Sequence, residues 1–113
     1  MKIINQSKNT ILATEAVVAD KALSRIKGLL GRKELRAGEA LIIKPCNSIH
    51  TFFMRFPIDV LFVDKHSKAI KAIHSILPFH LTAIYFTAAF AIELPVGSLA
   101  ASFTEPGDTI LLE

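Results

Sequence analysis

Between Ile58 and Asp64 the chain reads IDVLFVD, a short and almost unbroken apolar run. A half-buried strand alternates apolar and polar residues, so a continuous run of this length predicts a strand covered on both faces. The polar stretch 65–68 (KHSK) reads as a turn, and Ala69–Ile76 returns as the antiparallel partner. Such a strand needs apolar material on both sides of it. The chain can supply this, since 51% of its 113 residues are apolar and only 20% are charged. That length and composition describe a single domain over 1–113 with its own core, and they exclude a disordered tail or linker.

The flanking segments supply more short strands. Residues 10–19 are strand-like and partly alternating, 40–44 are aliphatic and end at Pro45, and 49–55 are rich in Thr and Phe. Phe90–Pro95 and Thr109–Leu112 follow, the latter after the turn Pro106-Gly107-Asp108. One amphipathic helix is expected over residues 21–30. Asp20 is a good N-cap, and Leu23, Ile26, Leu29 and Leu30 fall on one face. Gly31 can close it. Ser98–Phe103 reads as a short second helical turn. The fold class is therefore α+β and mainly antiparallel β, a curled sheet or small barrel of short strands.

Several chemistries are excluded. One cysteine, Cys46, cannot form an internal disulfide or a CxxC zinc site, and such a residue more often packs as a small apolar side chain than reacts. The four histidines, at 50, 66, 74 and 80, lack ligand-type spacing, and no HExxH, GxSxG or phosphate loop occurs. No metal and no cofactor are expected. The N-terminus lacks a signal-peptide pattern, and the apolar stretch Leu81–Leu94 is too short and polar to span a bilayer. A cytoplasmic protein with no membrane partner is expected.

The net charge is +3, unevenly placed. All 13 Lys and Arg lie in residues 1–71 with six acids, and residues 72–113 hold four acids and no Lys or Arg. A basic half can meet an acidic partner, although a solvated face explains it equally simply. Basic residues do not interleave with aromatics outside Phe53–Phe56, so a nucleic-acid partner is not expected.

The densest chemistry lies in 48–59. If 48–56 is extended, His50, Phe52, Met54 and Phe56 share one face and Ile49, Thr51, Phe53 and Arg55 the other. His50 beside large apolar groups suits acid–base work near neutral pH, although a core histidine bonded to backbone is the commoner reason for such a residue. Asp59 and Glu93 are carboxylates embedded in apolar strands, where each must be paired, hydrogen-bonded or protonated. Asp59 could orient His50, cap a turn, or pair with Arg32 or Arg55. Arg32, after Gly28 and Gly31, could hold a carboxylate or phosphate.

Three functions follow. The leading one is a small-ligand binding module with a pocket around His50, Asp59, Arg32 and Glu93, lined also by Phe52 and Met54, for a ligand of anionic or amphipathic character. The second is an enzyme, a hydrolase or lyase, with His50 as general acid or base oriented by Asp59. The third is an accessory protein that binds an acidic partner through the basic half.

The order of motifs adds a resemblance. Gly28–Arg32 (GLLGR) comes first, then Gly38 with Ala40-Leu-Ile. His50-Thr51 with Met54 and Pro57-Ile-Asp59 follow, then Phe62 and Asp64, Glu93-Leu-Pro with Gly97, and Gly107-Asp108. The chain resembles the small family catalogued as domain of unknown function 192, from about residue 13 to the C-terminus. The family's commoner form carries an aromatic-Met-Lys-Asn-Thr stretch where this chain has His50-Thr51, and a glycine-containing turn where it has Lys65-His66-Ser67. The resemblance implies a compact, mainly β domain and no assigned reaction.

Overall fold

The computed structural model of the protein describes residues 1–19 and 32–113. The helix expected over 21–30, with its Asp20 cap and Gly31 stop, lies outside the described residues. The strands are β1 (Ile3–Asn5), β2 (Thr10–Ala13), β3 (Glu15–Ala19), β4 (Glu39–Ile43), β5 (Ile58–Asp64), β6 (Ala69–Ile76), β7 (Ala88–Pro95) and β8 (Ile110–Leu112). Among the described residues one short helix, α1 (Ser98–Ala101), falls within the expected helical turn. The architecture is α+β and β-rich, as the sequence predicts.

The strands form two open sheets, ordered β2-β1-β8 and β3-β4-β7-β5-β6. All pairs are antiparallel except β3 with β4. A parallel pair cannot be joined by a hairpin. The expected strand over 10–19 is two strands, because the chain changes sheet at Thr14. There the N–H groups of Thr14 and Glu15 both donate to the Gly38 carbonyl, at 3.0 and 2.9 Å. The sequence reading overlooked β1, a short strand that pairs with both β2 and β8.

β5 is the strand its composition predicts. It lies between β6 and β7, and Ile58 to Val63 are all buried. Its two faces serve different cores. Leu61 and Val63 meet Ile42, Ile92, Leu99 and the three-stranded sheet, represented by Ile3 and Ile110. Ile58, Val60 and Phe62 face the other way, toward Leu35, Ile49, Met54, Ile76 and Ala91. Burying a side chain of this size contributes on the order of 1.5–3 kcal/mol, so both faces hold the sheet in place.

That second core fixes the loop between β4 and β5. Residues 49–55 are not a strand, contrary to the expectation from their Thr and Phe content. Only His50 pairs, in an isolated bridge to Leu81. Ile49 and Met54 are buried and cover the sheet from outside, which turns His50, Phe52 and Phe53 outward.

Candidate functional site

The alternation expected across 48–56 does not hold. Phe53 has a φ of 64°, and this left-handed residue breaks the extended path. Met54 is buried, whereas Phe52 and His50 are exposed and stack on each other, with ring centroids 5.2 Å apart. Met54 therefore secures the loop from within instead of lining a face with His50 and Phe52.

Asp59 and Glu93 are separated by the sheet itself. In the β5–β7 ladder Asp59 lies opposite Leu94, and Val60 lies opposite Glu93. Cross-strand partners share a face, and successive residues alternate between faces. The two carboxylates consequently project on opposite sides. Asp59, fully buried, accepts backbone N–H groups from Ser75 at 2.8 Å, Gly97 at 3.0 Å and Leu99 at 3.1 Å. Ser75 has a φ of 52° and Gly97 one of 96°. The carboxylate thus fastens two irregular backbone segments to the end of β5. It does not orient His50, and it pairs with neither Arg32 nor Arg55. Its acceptor capacity is taken up by the fold.

Arg32 is exposed and reaches Glu39, with Nη2 at 3.2 Å from each carboxylate oxygen. The Arg36 N–H, at 2.8 Å, and then Arg32 hold the Glu39 carboxyl below its usual range despite partial burial. Arg32 reaches neither Asp59 nor Glu93, so the structure does not bring it to the other residues of the expected pocket.

Glu93 is 3% exposed, in a row with Leu41 and Val60. Its Oε2 has no hydrogen-bond partner. Burial pushes this carboxyl up to about 7. Of the residues predicted to form a pocket, only His50 and Phe52 come together as exposed groups. An open depression of about 440 Å³ lies elsewhere, lined by Lys44, Asp64, Lys65, Phe90 and the β8 residues Ile110 to Leu112.

The structure instead joins His50 and Phe52 to a second loop, residues 77–87, between β6 and β7. Thr51 is the fastening. Its side chain is fully buried, and its Oγ1 donates to the Leu77 carbonyl at 2.7 Å and accepts the His80 N–H at 2.9 Å. Its backbone N–H donates to the His80 carbonyl at 2.8 Å, and its carbonyl accepts the Phe79 N–H at 2.9 Å. Farther along, the Thr82 N–H reaches Ile49 and the Tyr85 N–H reaches Asn47.

Outside this ladder stands a row of large apolar side chains. Phe52, Phe53, Leu77, Phe79, Leu81 and Phe86 are all exposed, Phe53 by 76% and Phe86 by 85%, and so is Ile84. Phe53 and Phe79 meet edge to face at 5.6 Å. Phe79 too is left-handed, with a φ of 65°. Bulky residues adopt that conformation only at a cost of roughly 1–3 kcal/mol, and such residues cluster at functional sites. The sequence reading overlooked Leu77, Phe79, Leu81, Ile84 and Phe86. The signal available was an apolar run with no period, interrupted by Pro78.

These features define a β-rich α+β domain with two open sheets and an apolar two-loop ridge over its second core. Comparison with known proteins carries the description one step further. The sequence profile of the family described as Uncharacterized ACR, domain of unknown function 192 (DUF192), matches residues 3–112, and the chain belongs to this family. A UPF0127 protein of Pyrococcus horikoshii is 32% identical over 96% of both chains. One from Pyrococcus abyssi is 32% identical over 96% of this chain and 94% of its own. Two crystal structures share the fold. A protein of unknown function from Novosphingobium aromaticivorans has a TM-score of 0.84 at 19% identity, covering 98% of this chain and 82% of that one. A Sinorhizobium meliloti protein, described as a proposed transcription regulator, has a TM-score of 0.83 at 17% identity, covering 97% and 89%. No helix among the described residues is long and apolar enough to cross a membrane.

Proposed function

We propose that the chain is a binding module whose contact surface is the ridge formed by the loops 47–56 and 77–87. The observation that carries this reading is the exposure of Phe52, Phe53, Leu77, Phe79, Leu81 and Phe86 on two loops hydrogen-bonded to each other. Scattered single apolar residues on a surface need no explanation, but a contiguous apolar patch marks an interaction site. The left-handed backbone at Phe53 and Phe79 supports the same reading, since it costs stability and holds both rings toward solvent. His50, stacked on Phe52, supplies a polar group within the patch. Binding without turnover is the expected behaviour.

The test uses a fluorescent apolar dye, bis-ANS, titrated against the wild type and a Phe53→Ser/Phe79→Ser variant. The wild type should bind the dye, and the variant should lose at least about tenfold in affinity, the worth of one buried phenyl. Its melting temperature should stay within a few degrees of the wild type, because neither ring is buried. Equal dye binding by both proteins, or a collapse in the variant's melting temperature, overturns the reading.

A further inference from the structure

We infer that the occupant of the ridge is an anionic lipid surface, an inference that rests on the binding reading above. Charge is the first argument. Residues 40–58 and 65–92 contain no Asp or Glu, and the ridge loops lie entirely within these two stretches. The loops themselves carry one cation, Arg55, and two histidines, His50 and His80, whereas Lys65 and Lys68 sit beside Asp64 at the β5–β6 turn. Arg55 is exposed on the loop that carries Phe52 and Phe53. An apolar loop pair that carries a cation and no acid matches a negatively charged, apolar-cored partner.

The form of the patch is the second argument. Phe53 and Phe86 are so exposed that most of each ring touches nothing of its own domain. Each projecting ring would need its own pocket in a folded protein partner. The headgroup and acyl boundary of a bilayer accepts apolar side chains in any spacing, provided that the backbone behind them keeps its own hydrogen bonds. The Thr51 ladder supplies such bonds at the centre of the ridge, where it pairs Thr51 with Phe79 and His80. A second copy of the chain is a poorer occupant, since it would bring one acid-free surface against another. The contact is peripheral and needs no spanning helix.

The experiment is co-sedimentation of the full chain with vesicles of phosphatidylcholine alone, or with about a quarter phosphatidylglycerol, at about 50 and 500 mM NaCl. Binding to the anionic vesicles should exceed binding to the neutral ones by about fivefold, the worth of one cation at about 1 kcal/mol, and fall at high salt. Phe53→Ser/Phe79→Ser should lower it by tenfold or more, the worth of one or two buried phenyls. Arg55→Glu should weaken binding to anionic vesicles only. Both variants are checked for an unchanged melting temperature. Equal binding to both vesicle types, or unaltered binding by the phenyl variant, overturns the inference. So does a wild-type dimer that the phenyl variant abolishes, which would make the occupant a second copy. Binding of poly-glutamate without vesicle binding would identify an acidic protein segment and also overturn it. If no vesicle binds while bis-ANS still distinguishes wild type from variant, the lipid assignment falls and the binding reading stands.

Discussion

Removing the Asp59 carboxylate should destabilise the domain far more than any change at His50. Asp59 is fully buried and accepts three backbone N–H groups, from Ser75, Gly97 and Leu99. Asp59→Ala leaves these donors without that partner, the Leu99 N–H in a buried site and the Ser75 and Gly97 N–H groups in part-buried ones. Each orphaned donor costs about 1–3 kcal/mol, which gives a total near 5 kcal/mol. That approaches the whole stability of a domain this size, roughly 5–15 kcal/mol. Asp59→Asn is the milder perturbation. Its single oxygen can keep the Gly97 and Leu99 bonds, but its amide NH2 then faces the Ser75 N–H, donor against donor. About 2–3 kcal/mol should be lost, or on the order of 10 °C in melting temperature. His50→Ala, at an exposed position, should stay within about 0.5 kcal/mol. The assay is urea denaturation followed by circular dichroism. An Asp59→Ala variant within about 1 kcal/mol of the wild type would refute the role assigned to Asp59. The His50→Ala/Asp59→Asn pair adds a second check. If Asp59 does not act through His50, the two effects should be additive within about 0.5 kcal/mol.

The other two predictions concern Glu93 and Thr51. Glu93 is raised by burial from 4.5 to about 7, so its protonated form is favoured by folding. Its contribution is complete below pH 4.5 and is lost as pH rises to about 7, a decline of about 3 kcal/mol. Glu39, Asp64 and Asp108 are held below their usual range, for Asp108 because hydrogen bonds from Lys8, Asn5 and the Glu105 N–H outweigh the opposing effect of burial. Their stabilisation is lost as pH falls below about 4, so thermal stability should peak near pH 5. Glu93→Gln should flatten the decline above that peak, and a decline that persists in this variant rules out Glu93 as its source. Thr51→Val keeps the shape of the side chain but removes the hydroxyl that bonds Leu77 and His80. It should cost about 1–3 kcal/mol and raise amide exchange across residues 77–82. Unchanged protection in that loop would show that the backbone bonds suffice.

The sequence reads well where one physical effect decides the outcome. β5 is legible because a continuous apolar run has few alternatives to a strand buried on both faces, and both cores meet on it. The turn after it is legible because Asp64 Oδ1 accepts the N–H groups of His66 and Lys68, a habit of aspartate in turns. Residues 49–55 mislead for an equally physical reason. Ile49, Thr51 and Met54 are buried at spacings of two and three, so the first two mimic a strand and the left-handed Phe53 then shifts the phase. The two embedded carboxylates are visible as oddities of composition. Their separation onto opposite faces of the sheet depends on β5–β7 register, which local pattern does not specify. Arg32 turns to Glu39 for a similar reason, since the nearest carboxylate is set by tertiary path.

These outcomes also explain why the family resemblance carries a fold and no reaction. The polar residues that mark it hold the chain to itself. Thr51 joins the two loops, Asp59 anchors the turn at Gly97, and Asp108 receives Lys8 and Asn5 across the closing turn at 2.8 and 2.9 Å. Met54 is core. Once these roles are assigned, few motif groups remain available for a ligand. The exposed large apolar side chains of the two loops are Phe52, Phe53, Leu77, Phe79, Leu81, Ile84 and Phe86, none of them a motif residue. The motif builds a rigid two-loop platform, and the side chains displayed on it differ from the residues that build it. Binding specificity in such a domain can therefore change through the displayed residues without disturbing the contacts that define the fold.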